Sequence, residues 1–175
     1  GGRTGDRLLA ELITRLPEHI TPGGTAQLLG NWEIPATAPG QQADWDTRPR
    51  QWVGAETEVW FVQREELTPE GYAQTWLRDA SQQRDPAAYE EAFLAYLEDF
   101  AARGVAAVGF GMVWLRRPAE SEAPADAEGR ALRRFEEITH PLQQPLAPFL
   151  TAAVAAHDAA AGLDDAALRE QHLTV

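Results

Sequence analysis

The stretch that most limits what this chain can become is Thr25 to Glu33, TAQLLGNWE, set behind the turn Pro22-Gly23-Gly24. Its apolar pair Leu28-Leu29 lies in a short run bounded by that turn and by the polar, aromatic cluster Asn31-Trp32-Glu33, which predicts a buried strand leaving a sheet. In open α/β sheets, ligands gather beyond the carboxyl ends of parallel strands, where loops are free and helix N-termini point inward. A strand of that kind turns Asn31, Trp32 and Glu33 toward the crevice and makes them candidate substrate-binding residues. The plainer alternative keeps all three structural: Asn31 caps the following loop, Trp32 fills the core and Glu33 meets solvent.

On either side the spacing of apolar residues predicts the rest of the architecture. Leu8, Leu9, Leu12, Ile13 and Leu16 recur at helical intervals after Asp6, a good N-cap, so a helix is expected over 7–16, ended by Pro17. Ile34 to Gln42 is rich in Pro and Gly and reads as a loop, and a helical stretch follows over 44–53, with Trp45 and Trp52 on one face. A second buried strand is expected over 58–66, EVWFVQREE, its charged exit a solvated strand end. Thr68-Pro69 and Asp85-Pro86 each place an N-cap before a Pro, the signature of two helix starts, over 69–80 and 86–103. The third strand is VAAVGFGMVWLRR over 105–117. Its Gly109-Phe110-Gly111 is no nucleotide loop, because it lacks a third glycine and sits inside an apolar strand; such glycines mark a bulge or a close backbone approach.

Residues 118–129, PAESEAPADAEG, are acidic and small and read as a surface loop or linker, and 130–175 as a helical extension with helices over 148–161 and 164–171. His140, His157 and His172 are too scattered to suggest a metal site. There is no cysteine, so no disulfide framework or thiolate chemistry arises. Every one of the 15 basic side chains is Arg, set against 27 acidic ones; a net charge of -12 repels a phosphate backbone and makes nucleic acid a poor partner. No apolar run approaches membrane-spanning length, so the protein is expected to be soluble and cytoplasmic.

Three segments together carry a resemblance: LPEHITPGGTAQLLGNWE, then VWFVQREELTPEGYAQTWLRDA, then GVAAVGFGMVWLRR. They resemble bacterial class I S-adenosylmethionine-dependent methyltransferases, in the branch with a methyltransferase small domain that is related to protein-(glutamine-N5) methyltransferases. The resemblance implies an α/β fold in which this chain is the C-terminal half of a Rossmann-like sheet. Its three strands would be the fifth, sixth and seventh, the last of them antiparallel and central. The half-domain would span 1–117 with a two-helix insert over 68–103.

The same resemblance implies a cofactor, S-adenosylmethionine, yet the glycine-rich loop that binds it and the Asn-Pro-Pro-aromatic acceptor motif are both absent from this sequence. Both are expected upstream, with the chain a fragment that is inactive by itself. Expected partners are the missing N-terminal half, a protein or small-molecule acceptor, and a second copy of the chain through an exposed strand edge. No residue here is assigned as catalytic. The reading from a different class is a binding or oligomerisation module without catalysis.

Overall fold

The computed structural model describes residues 3–55, 57–79, 85–119, 131–163 and 165–170. The helical spacing at the start is realised as α1, Arg7–Arg15, followed by a 3-10 turn over Leu16–His19. Leu9, Ile13 and Leu16 point inward, while Leu8 and Leu12 stay on the outside. Asp6 does not cap α1 with its side chain, contrary to expectation; its carboxylate is engaged across the fold, as described below.

The strand predicted at Thr25 is present as β1, Thr25–Ala38, longer than expected and not buried over its first half, where Thr25, Gln27 and Leu29 are exposed and only Trp32 to Ile34 are buried. The expected loop after Glu33 is instead the continuation of this strand through a register shift between Ile34 and Pro35. It then turns at Gly40, whose φ of 71° suits a residue without a Cβ, into the short strand β2, Gln41–Gln42. Helix α2 covers Thr47–Trp52, strand β3 Glu58–Leu67, helix α3 Pro69–Asp79 and helix α4 Pro86–Arg103. Asp85 caps α4 by accepting from the Ala87 and Ala88 amides, and Gly104 closes it in the left-handed conformation. Strand β4 follows over Val105–Arg116.

The C-terminal region is not wholly helical. Arg133–Glu137, expected to be part of a helical extension, forms strand β5, because Phe135 stacks on Phe61 of β3 with ring centroids 5.3 Å apart. Helices α5, Ala147–Ala161, and α6, Asp165–Glu170, complete the chain. Most of the acidic segment 118–129, together with His172, lies outside the described residues.

The result is a mixed α/β fold around a five-stranded sheet of order β2-β1-β4-β3-β5. Strand β4 is central and antiparallel to both β1 and β3, so β1 and β3 run parallel to one another without pairing. Strand β5 is parallel to β3. One face of the sheet carries Trp32, Ile34, Val59, Phe61, Val113 and Leu115, covered by Ile13 of α1 and Trp52 of α2, and this is the main core. On the other face Tyr72 of α3 packs on Phe110 and on Phe100 of α4, while α5 sits over Trp60 through Phe149. No described helix is long and apolar enough to cross a membrane.

Candidate functional site along β1

Asn31, Trp32 and Glu33 lie inside β1 rather than beyond its end, so they do not open onto a crevice as a strand exit would. Alternation along the strand sends Trp32 to one face and its neighbours to the other.

Trp32 is fully buried. Its indole lies 5.6 Å from Phe61 and 5.7 Å from Trp45, and Nε1–H donates to Gln63 Oε1 at 3.0 Å. Gln63, itself wholly buried, passes the connection on by donating from Nε2 to Glu137 of β5 at 2.9 Å. The ring fits because β4 carries glycine beneath it. A Cβ at Gly109 would stand 2.4 Å from Trp32 Nε1, and one at Gly111 2.8 Å from Trp32 Cη2. The glycines inside β4 therefore mark the close approach expected of them.

On the opposite face, Asn31 Nδ2 donates to the Tyr72 hydroxyl at 3.1 Å, tying β1 to α3. Tyr72 is ringed by Phe100 at 5.4 Å, Phe110 at 5.7 Å, Trp76 at 5.9 Å and Tyr96 at 6.3 Å. Burial pushes its hydroxyl above the ordinary value of 10.0, with Tyr96 and Glu33 adding to the shift and Trp76 and Asn31 opposing it. The phenol is thus held neutral, with its oxygen accepting from the Asn31 side-chain amide.

Glu33 is not solvated as the plainer expectation had it; it is 7% exposed. Its Oε1 accepts from Arg103 Nε at 3.0 Å and Nη2 at 2.8 Å, and Arg103 Nη1 pairs in turn with Asp99. Burial works against the Arg103 charge, but Asp99 and Glu33 outweigh it and hold the guanidinium charged above its ordinary range. The Glu33 backbone N–H donates to Asp6 Oδ2 at 2.9 Å, and Arg48 clamps the same carboxylate at 3.1 and 2.5 Å. Gly5, with φ at 58°, passes so close that a Cβ there would stand 2.6 Å from Glu33 Oε1.

Each candidate residue is thus bound to a different element, Asn31 to α3, Trp32 to β3 and Glu33 to α4 and the N-terminal turn. Tyr72, Arg103 and Gln63, which complete this arrangement, carry no mark in the sequence that ties them to β1, and Asp6 is marked there only as a helix cap. They meet β1 only because the chain returns to it from far along its length.

The exit of β3 also departs from a solvated end, since Arg64 reaches the carbonyl oxygens of Ile138 and of His140, the latter at 3.0 Å. Beyond β1, an open depression of about 640 Å³ follows the β1–β2 hairpin and is lined by Ala36 to Gln42 and Ala106, none of them titratable. Donor atoms of Glu58, His157 and Asp158 lie within 4.8 Å of one another. The Arg116 guanidinium bonds both carboxylates, so the positive charge that a cation would bring is already in place. No family model matches the chain, and neither a curated protein nor a solved structure does.

Proposed function

We propose that this chain is the acceptor-side half of an S-adenosylmethionine-dependent methyltransferase, acting in the full-length protein to transfer a methyl group to a nitrogen or oxygen nucleophile. The observation that carries the proposal is the placement of β4, antiparallel between β1 and β3, with the helical pair α3–α4 inserted ahead of it. That order is the one implied for the fifth, seventh and sixth strands of the family that the sequence resembles. Strands β2 and β5 are additions to it. Fold alone does not fix chemistry, so the weight falls on the residues along β1.

In such a transfer, positioning of the acceptor supplies most of the acceleration. Asn31 and the neutral Tyr72 hydroxyl offer a hydrogen-bonding pair on the α3 side, suited to orienting an uncharged acceptor group. Glu33 and Trp32 act at one remove, since the Glu33 carboxylate is held by Arg103 and Trp32 has no exposed surface. The cofactor does not fit the described residues by themselves. They offer no glycine-rich strand-to-helix turn, and the one carboxylate buried along β1 is already ion-paired. A cofactor-binding half would have to bring that cradle, and no step through the cofactor is assigned to this chain.

Calorimetric titration of S-adenosylhomocysteine into this chain and into one extended upstream by about 100 to 200 residues tests the proposal. Binding to the longer chain alone is expected; binding to neither would overturn it. The second reading, a binding module without catalysis, draws on the unpaired outer edge of β1.

A further inference from the structure

The outer edge of β1 is described by its hydrogen bonds. Gly24 C=O accepts from Arg117 N–H on the β4 side, whereas Glu33 N–H turns the other way to Asp6 and Pro35 C=O accepts from Ala43. Because main-chain groups alternate in direction along a strand, Thr25, Gln27, Leu29 and Asn31 point N–H and C=O away from β4. Strand β2 reaches only Ala36 and Ala38. Among the described residues no hydrogen bond meets the outward groups of those four residues.

Edges left open are ordinarily protected by charge, proline or a bulge. Here Thr25 to Trp32 contains neither a charged residue nor a proline, and its register against β4 is unbroken from Thr25 to Ile34. The edge is also bordered by apolar surface. Leu29 is 81% exposed on β1 itself, and Leu8 and Leu12 are exposed on α1, the helix whose N-terminal turn reaches this edge at Glu33 and whose Leu9 lies over Gly30.

We propose that this edge is a self-association surface, on which a second copy of the chain lays its own β1 antiparallel across a twofold axis at Leu29. The run is its own complement. With Leu29 opposite Leu29 of the second copy, Gln27 stands opposite Asn31, and these positions all carry outward main-chain groups, so each pair is of the hydrogen-bonded kind. The uncharged segment keeps the net charge of -12 away from the seam, which an unlike partner of either sign would not require. The exposed Leu8 and Leu12 give the two copies apolar surface to cover beyond the ladder. The dimer is that of the chain by itself; in the methyltransferase reading the fourth strand of the missing half would compete for this same edge.

Sedimentation equilibrium of the 175-residue chain, from micromolar to millimolar concentration, is expected to give about twice the 19.2 kDa monomer mass at the upper end. Leu29→Pro removes an N–H that the β1–β4 ladder does not use, so the dimer is lost while circular dichroism and the thermal transition stay those of a folded monomer. Leu29→Lys, which needs no change of backbone, places like charges across the axis and abolishes the dimer in the same way. A monomer at every concentration, or a dimer that survives both substitutions, overturns the proposal. The S-adenosylhomocysteine titration above decides the methyltransferase assignment separately.

Discussion

Trp32 Nε1 and Gln63 Oε1 meet at 3.0 Å in a space that only a glycine at position 109 leaves open, since a Cβ there would stand 2.2 Å from that same oxygen. Neither partner has solvent to fall back on. Gly109→Ala is therefore expected to lower stability by about 2–4 kcal/mol, through overpacking and loss of the bond. Urea denaturation would register it as a lower midpoint with an unchanged slope.

The Glu33–Arg103 pair predicts a second loss. Their side chains are only 9% and 19% exposed, so removing one partner leaves the other poorly compensated. Glu33→Ala is expected to cost about 2–4 kcal/mol, and a double-mutant cycle with Arg103→Ala to return a coupling of about 1–3 kcal/mol. Additive effects would show that Asp99 alone satisfies Arg103.

Acid should release α5 before it unfolds the sheet. Hydrogen bonding to Arg116 holds the Asp158 carboxyl below its ordinary value of 3.8, against the opposing effect of burial. A lowered folded-state value stabilises at pH above the unfolded value and loses that contribution as pH falls through the folded one. Because Asp158 is partly exposed, the effect is local. Phe149 lies 5.9 Å from Trp60, so tryptophan fluorescence is expected to change below pH 4, and Arg116→Gln to move that change upward.

At the alkaline end the Tyr72 hydroxyl resists ionisation because it is buried. Its raised value means that the folded state keeps a proton the unfolded chain gives up. That stabilisation is complete below pH 10 and is lost as pH rises through the folded-state value. Spectrophotometric titration should show one tyrosine ionising late. Tyr72→Phe should remove that late step and cost about 1 kcal/mol through the lost Asn31 bond.

How much of this was legible in the sequence varies by element, for physical reasons. Helix α4 was readable to its first and last residues because both ends are local devices, the Asp85 cap and the left-handed Gly104. Strand β5 was not, because RRFEE has only Phe135 to bury and gains strand geometry from a neighbour far away in sequence. Pro35 and Pro39 suggested a loop after Glu33, but the first sits at a register shift and the second in a hairpin turn, positions that an edge strand tolerates. Along β1, Trp32 was legible as a candidate and so was its role in the core. The partners were not, since Tyr72 and Arg103 approach Asn31 and Glu33 only in the folded chain.

The central position of β4 also sets an order of events during synthesis. Strands β1 and β3 leave the ribosome well before the strand that joins them, and Thr25 must wait for Arg116 to find its place in the ladder. Contacts so distant in sequence slow folding, and an emerging chain carries two bare apolar strands until the last of the sheet's inner strands is translated. A nascent chain stalled before Val105 leaves β1 and β3 without the strand that joins them, and one released just past Arg116 has that strand but still lacks β5.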